Sequence, residues 1–217
     1  LIIINFNKRL SNISADNFIK RILVNKLKSK YIFISHNFKF GKKRKGNINT
    51  LKKFEKKYSY KTIITSPYQK NKKIISSSLI RKNIANGKVD NVRGLLGRSW
   101  SIEGEVVRGQ KRGRKIGFPT CNIKWNSYTL PKLGVYAVKV ETKSFKKRGI
   151  ANIGYRPTFN GKNLLLEVNI FGINKNLYKK TLKVSFIKFI RPEKKFKNIS
   201  DLKNQIKKDI NTAKNNV

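Results

Sequence analysis

The stretch LLLEVNIF, residues 164–171, decides the fold. On an extended chain Leu164, Leu166, Val168 and Ile170 fall on one face and Leu165, Glu167, Asn169 and Phe171 on the other, the period of two that a half-buried strand requires. VYAVKVET (135–142) repeats the pattern through Tyr136, Val138 and Val140, and LKVSFIKFI (182–190) reads as a third such strand. A terminal helix carries Ile199, Leu202, Ile206 and Ile210 at helical spacing. Short alternating strands between Gly, Pro and Asn turns, closed by one helix, predict a small antiparallel β-barrel.

Upstream of Gly97 the texture changes. Ser14 reads as the N-cap of a helix carrying Phe18, Ile19, Ile22, Leu23 and Leu27. YIFIS (31–35) has strand composition, HNFKFGKKRKGN (36–47) is a glycine-bounded loop, and a weaker helix around Leu51, Phe54 and Tyr58 precedes a second strand, YKTIITS (60–66). This β/α alternation predicts a parallel, doubly wound sheet. In ISSSLIRKNIANGKVDNVRGLLGR (75–98) three serines open a short helix that Gly87 closes, and a second helix ends at Gly97. The expected domains are therefore 1–96, α/β, and 97–217, mainly β; no internal repeat is evident.

Composition narrows the class. An apolar content of 38% with 13 Phe, 8 Tyr and 2 Trp argues against a disordered chain. No run approaches the roughly 18–20 uninterrupted apolar residues of a membrane span. LIIINFNKRL is too short for a secretory signal and lacks its basic lead-in and cleavage site. Because the chain opens on Leu1 and holds no methionine, we expect a missing N-terminal segment. The single cysteine, Cys121, excludes a disulfide framework and a cysteine-based zinc cluster, so a reducing cytoplasm is the default. Lys and Arg number 52 against 10 Asp and Glu, for a net charge of +42. Those bases lie along the whole chain without a concentrated block, which predicts nonspecific anion binding rather than a specific nucleic-acid or membrane partner.

Chemistry concentrates in VVRGQKRGRKIGFPTCNI (106–123). Gly109, Gly113 and Gly117 let backbone N–H groups approach a phosphate, and Arg108, Lys111, Arg112, Arg114 and Lys115 supply charge. Thr120 and Asn122 point their oxygens to the same side of an extended segment, which suits Mg²⁺ shared with phosphates and water. An ordinary basic turn remains the competing reading. No Walker A loop is present: GKKRKGN (41–47) has Asn47 where the lysine belongs. Glu167, set among Leu164, Leu165, Leu166 and Val168, needs a partner or a task, because burial of a carboxylate is costly. A strand glutamate paired to a lysine is the alternative. Asp201 and Asp209, on the terminal helix, are expected to face solvent, and His36, the only histidine, leaves no imidazole base for the second half.

GFPTCN (117–122), GVYAV (134–138), ANIGYRPTF (151–159), LEVNIF (166–171), LYKKTLKVSFIKFIRPEKKF (177–196) and LKNQIKKDI (202–210) together resemble the riboflavin kinase module of the bifunctional riboflavin kinase/FAD synthetase family, in family order from Leu95 to Ile210. The resemblance implies a six-stranded Greek-key barrel that transfers the γ-phosphate of ATP to the 5′-hydroxyl of riboflavin, giving FMN. It assigns ATP binding to Gly109, Arg114, Gly117, Thr120 and Asn122, the magnesium to Thr120 and Asn122, general-base catalysis to Glu167, and flavin contact to Arg191 and Phe196. Cys121 stands where the family has alanine; as a small buried hydrophobe it should disturb little, and a redox-sensor reading is secondary. The first half resembles the FMN adenylyltransferase module less completely. Its loop 36–47 and the nucleotide motif Ser76, Ser77, Ser78 and Arg81 are present, but the family's earlier His-containing motif has no counterpart before Ile13. FAD synthesis is thus expected of a full-length protein only. A basic RNA-binding barrel without catalysis, and a relic that binds flavin without turning it over, are the rival readings.

Overall fold

The structure, a computed structural model, describes residues 2–70, 73–126, 128–158, 161–173 and 175–216; Phe159, which ends one quoted string, lies outside them. The chain divides into two compact units, Leu1–Ile74 and Ile75–Val217.

In the first unit α1 (Lys8–Ser11) is followed by α2 (Ala15–Asn17), whose N-cap Ser14 accepts the Asn17 N–H at 3.3 Å. The helix then widens into a π-helical segment, Phe18–Lys26, with Ile19 and Ile22 buried. Strands β1 (Tyr31–Ser35) and β2 (Lys61–Thr65) pair in parallel, Tyr31 opposite Lys61 through Ser35 opposite Thr65. The crossover between them is α3 (Ile48–Tyr58), opened by a capping box in which Thr50 N–H donates to Asn47 Oδ1 at 3.1 Å. Leu51 on α3 packs with Ile19, Ile34, Phe40 and Tyr60, so the predicted β/α alternation stands as one parallel β–α–β unit with its own core. Glu55 accepts the Thr62 N–H at 2.6 Å, and that bond holds its carboxyl below the usual carboxylate range. A short antiparallel ribbon, β3 (Gln69–Lys70) and β4 (Lys73–Ile74), ends the unit.

The second unit begins with α4 (Ser77–Ala85) and α5 (Val89–Leu96), followed by Gly97 at φ 70°, a left-handed value that favours glycine. Ile84, Val89 and Val92 are buried in the same core as the barrel strands. The compact units therefore part some twenty residues before the 96/97 boundary expected from texture, because these two helices bury their apolar faces with the barrel.

The barrel is built from β5 (Ser101–Val107), β6 (Cys121–Lys124), β7 (Gly134–Glu141), β8 (Lys146–Thr158), β9 (Gly161–Ile170) and β10 (Thr181–Arg191), closed in the order β10-β5-β6-β9-β8-β7 with every pairing antiparallel. Alternation sends Tyr136, Val138, Leu166, Val168, Val184 and Phe186 inward, and Tyr136 meets Phe186 edge to face at 5.1 Å between ring centroids. A four-residue turn of helix, α6 (Arg112–Lys115), precedes β6. The terminal helix α7 (Ile199–Asn216) covers the outer face of β7, where Val135 and Ala137 are buried with Ala213. Asp209 on α7 is 2% exposed and bidentate with Arg191, which corrects the expectation that it faces solvent: it lies on the barrel-facing side of the helix, and the guanidinium compensates its burial. Among the described residues no helix is long and apolar enough to cross a membrane.

Candidate functional site

Glu167 owes its position to strand alternation. Its neighbours Leu166 and Val168 fill the barrel core, so its own side chain leaves the barrel on the outer face. Register sets it directly opposite Asn122 of β6 on one side and Asn152 of β8 on the other. Directly opposed residues share a face, so the carboxylate is flanked by two amides across three strands.

Two cavities adjoin this row. The larger, about 560 Å³, lies against the outer wall of the barrel and is bounded by Val135, Ile150 and Glu167 from strands, Leu202 and Ile206 from α7, and Phe196 from the connecting segment. The smaller, about 450 Å³, is bounded by Arg114, Cys121, Lys175 and Tyr178 over an apolar floor that includes Val168 and Leu177. Thr120 lines both, so the segment before β6 is the shared wall between a mainly apolar chamber and a basic one.

The glycine-rich run supplies the geometry for that wall. Phe118 N–H donates to Gly113 carbonyl at 2.8 Å, closing a tight turn after α6, and Gly117 within it has φ 90°, a value a residue with a Cβ rarely adopts. A Cβ on Gly109 would stand 1.7 Å from Asn122 Nδ2, so only glycine lets this backbone lie against the asparagine. Asn122 is 9% exposed and its Oδ1 has no hydrogen-bond partner. An orphaned buried oxygen, a threonine hydroxyl two residues away and a side-chain-free cradle suit a small, hard cation. Among the described residues no cluster of three or more His, Cys, Asp or Glu could hold a metal unaided; a cation held here by Thr120 and Asn122 would draw further oxygens from phosphates and water.

Arg191 and Phe196 both line the larger cavity, the guanidinium 5.7 Å from the ring centroid. Arg191 is not a free cation, being held by Asp209 through Nε at 3.0 Å and Nη2 at 2.8 Å. Cys121 donates its thiol to Val168 carbonyl at 3.3 Å, and burial pushes the thiol up to about 11. That is the opposite of the electropositive activation a redox sensor needs. Ser76 caps α4, accepting Leu79 N–H at 3.2 Å, while Ser77, Ser78 and Arg81 are exposed and line neither cavity. The structure thus brings Glu167, Thr120, Arg114, Arg191 and Phe196 to the walls of two adjoining chambers, sets Asn122 opposite Glu167 with Gly109 against it, and leaves the serine motif elsewhere.

Three participants escaped the sequence reading. Asn152 lies in the strand ANIG, but only register reveals its place beside Glu167. Asn169 donates to Pro119 carbonyl at 2.7 Å and anchors the segment carrying Thr120; its spacing two residues after Glu167 was the available signal. Glu193 lies over Gly154, where a Cβ would be 1.8 Å from its Oε1, and nothing in the sequence indicates that approach.

Comparison with known proteins adds the following. A family model described as riboflavin kinase matches residues 96–217, and one described as FAD synthetase matches residues 1–79. A bifunctional riboflavin kinase/FMN adenylyltransferase of Buchnera aphidicola subsp. Schizaphis graminum is 45% identical over 99% of this chain and 70% of its own length. One of Haemophilus influenzae is 41% identical over 99% of this chain and 70% of its own length. A crystal structure described as a macrolide-efflux protein from Streptococcus pneumoniae superposes with a TM-score of 0.85 at 32% identity, covering 97% of this chain and 68% of that one.

Proposed function

The chain belongs to the bifunctional riboflavin kinase/FMN adenylyltransferase family, and from that membership we propose how its kinase half works: riboflavin occupies the larger cavity, ATP the smaller, and the γ-phosphate crosses at Thr120 to the ribityl 5′-hydroxyl to give FMN. The observation that carries this reading is Thr120, common to both chambers, beside an Asn122 whose oxygen lacks a partner and which sits across from Glu167. Use of ATP with a divalent cation follows from the family; we assign the cation as Mg²⁺, held by Thr120 and Asn122 with the nucleotide phosphates. When bound, it neutralises charge on the transferring phosphoryl group.

The chain's own residues do the rest. Glu167 accepts the proton of the 5′-hydroxyl as its oxygen attacks in line, Arg114 offers charge to the phosphates from the smaller chamber, and the α6 turn with Gly117 brings backbone N–H groups close. The apolar walls of the larger chamber, with Phe196 and Arg191 on one side, suit a planar ring system. Residues 1–96 are assigned as a partial adenylyltransferase domain and 97–217 as the kinase domain. Ser76, Ser77, Ser78 and Arg81 keep their assignment to that adenylyltransferase motif. A cytoplasmic setting is the reading of the lone cysteine, and riboflavin, FMN and ATP are the partners.

The test is conversion of riboflavin to FMN by the 217-residue chain with ATP and Mg²⁺, followed by separation of the flavins, alongside Glu167→Gln. Loss of a general base lowers turnover by roughly 100- to 10,000-fold. Nucleotide binding should persist in that variant. Near-normal turnover would remove Glu167 from the mechanism.

A further inference from the structure

Arg191 ends β10 and Asp209 lies just past the middle of α7, and the residues 192–198 that join strand to helix pass along the larger cavity carrying Glu193, Lys194 and Phe196. The guanidinium is almost fully committed. Its Nε reaches both Asp209 oxygens at 3.0 Å, Nη2 reaches Oδ2 at 2.8 Å, and Nη1 donates to Pro192 carbonyl at 3.0 Å. Gln205, one helical turn before Asp209, donates from Nε2 to Oδ1 at 2.9 Å and fixes the carboxylate from the other side. The Asp209 and Arg191 side chains are 2% and 19% exposed.

A buried ion pair of this kind is a poor source of stability, because desolvation offsets its attraction; its attested use is to specify one arrangement among several. Here the arrangement specified is the angle of α7 and the path of 192–198, which place Leu202, Ile206 and Phe196 as a wall of the larger cavity. No residue between 191 and 209 lines the smaller cavity.

We propose that Asp209, oriented by Gln205, is a positioning residue that sets the flavin-side wall through Arg191 and Phe196, and so governs the affinity for riboflavin and not that for nucleotide. The proposal rests on the assignment of the larger cavity to riboflavin. Arg191 then meets the ligand as a charge-compensated guanidinium rather than as an unpaired cation. Strand end, connecting segment and helix meet at this pair, while the far end of α7 is held separately by Ala213 against β7 and by Lys188 donating to Asn216 at 2.7 Å, so breaking the pair loosens the cavity end of the wall.

The experiment measures riboflavin binding by flavin fluorescence, and KM for riboflavin and for ATP, in Asp209→Asn and Gln205→Ala of the whole chain. Asp209→Asn should raise Kd and KM for riboflavin about tenfold or more, with the ATP KM within about twofold and kcat within about threefold. Gln205→Ala, which removes one hydrogen bond from a partly exposed residue, should show the same split at about threefold. Arg191→Lys, which keeps the charge but loses the bidentate fork, should behave like Asp209→Asn. If Asp209→Asn fails to fold, Gln205→Ala decides. Parallel rises in both KM values, or no change in riboflavin affinity, would overturn the proposal. A wild-type chain that binds riboflavin but forms no FMN, while the variants still weaken binding, would sink the kinase reading and leave this inference standing. A wild-type chain that forms FMN, with variants that bind riboflavin normally, would do the reverse.

Discussion

Gly109→Ala isolates the cradle against Asn122. Gly109 does not sit in the left-handed region, so alanine meets no backbone strain there. What it meets is the asparagine: the new Cβ would lie 1.7 Å from Nδ2, 2.9 Å from Cγ and 3.5 Å from Oδ1. Restoring an ordinary van der Waals separation moves the amide by about 2 Å. Asn122 is buried and pinned in register between Val107 and Glu167, so the movement carries Oδ1 out of line with Thr120. Misplacement of a reacting or ligating group by about 1 Å costs on the order of 100-fold in rate. We therefore expect kcat/KM for FMN formation to fall at least about 100-fold, equivalent to about 2.7 kcal/mol of transition-state stabilisation. Riboflavin affinity should hold within about twofold, because Gly109 is not part of the larger cavity's lining. The assay is steady-state FMN formation at several Mg²⁺ concentrations, with thermal melting to confirm the fold. Turnover within about threefold of wild type at every Mg²⁺ level would refute the role given to Asn122, since the substitution cannot leave that side chain where it is.

Asn122→Val should abolish FMN formation yet raise the melting temperature of the nucleotide-free chain, since removing an unsatisfied buried acceptor relieves about 1–3 kcal/mol; a lower melting temperature would mean the oxygen has a structural partner after all. Cys121 should resist alkylation at neutral pH, because burial keeps its thiol protonated up to about 11. The thiolate is then on the order of one in a thousand at pH 8, and the iodoacetamide rate should climb about tenfold per pH unit above that. A rate that levels off near pH 9 would place the thiol in solvent. Leu166→Ala, at a fully buried barrel position, should lower stability by about 2–5 kcal/mol in denaturant unfolding, and a cost under about 1 kcal/mol would be incompatible with that packing.

The barrel was legible because strand alternation is a local signal: Leu166 and Val168 facing in, with Glu167 facing out, needs no partner to be read. What alternation hid was a second covering layer. In β7 the outward Val135 and Ala137 are as buried as the inward Tyr136 and Val138, because α7 lies across them, and nothing within the strand says so. The same long-range packing explains the shifted unit boundary, since Ile84, Val89 and Val92 have helical spacing that would serve either neighbouring core. The widening of Phe18–Lys26 into a π-helix was likewise invisible, because the apolar spacing fits both helix types.

Asp209 is the instructive miss. Read locally, an aspartate among lysines on an amphipathic terminal helix belongs in solvent, and only the fold brings Arg191 to it from 18 residues away. Yet the composition held a clue. Of the seven carboxylates after Gly97, Glu141 takes an ordinary surface ion pair with Lys146, whereas Glu167, Glu193 and Asp209 all line one cavity. Because Lys and Arg outnumber Asp and Glu 52 to 10, a charged surface needs no further acid for solubility, so three acids around one chamber mark where negative charge has work to do. Under the proposed mechanism Glu167 takes a proton, while Asp209 holds a guanidinium in place, and the abundance of lysine elsewhere is a background against which both stand out.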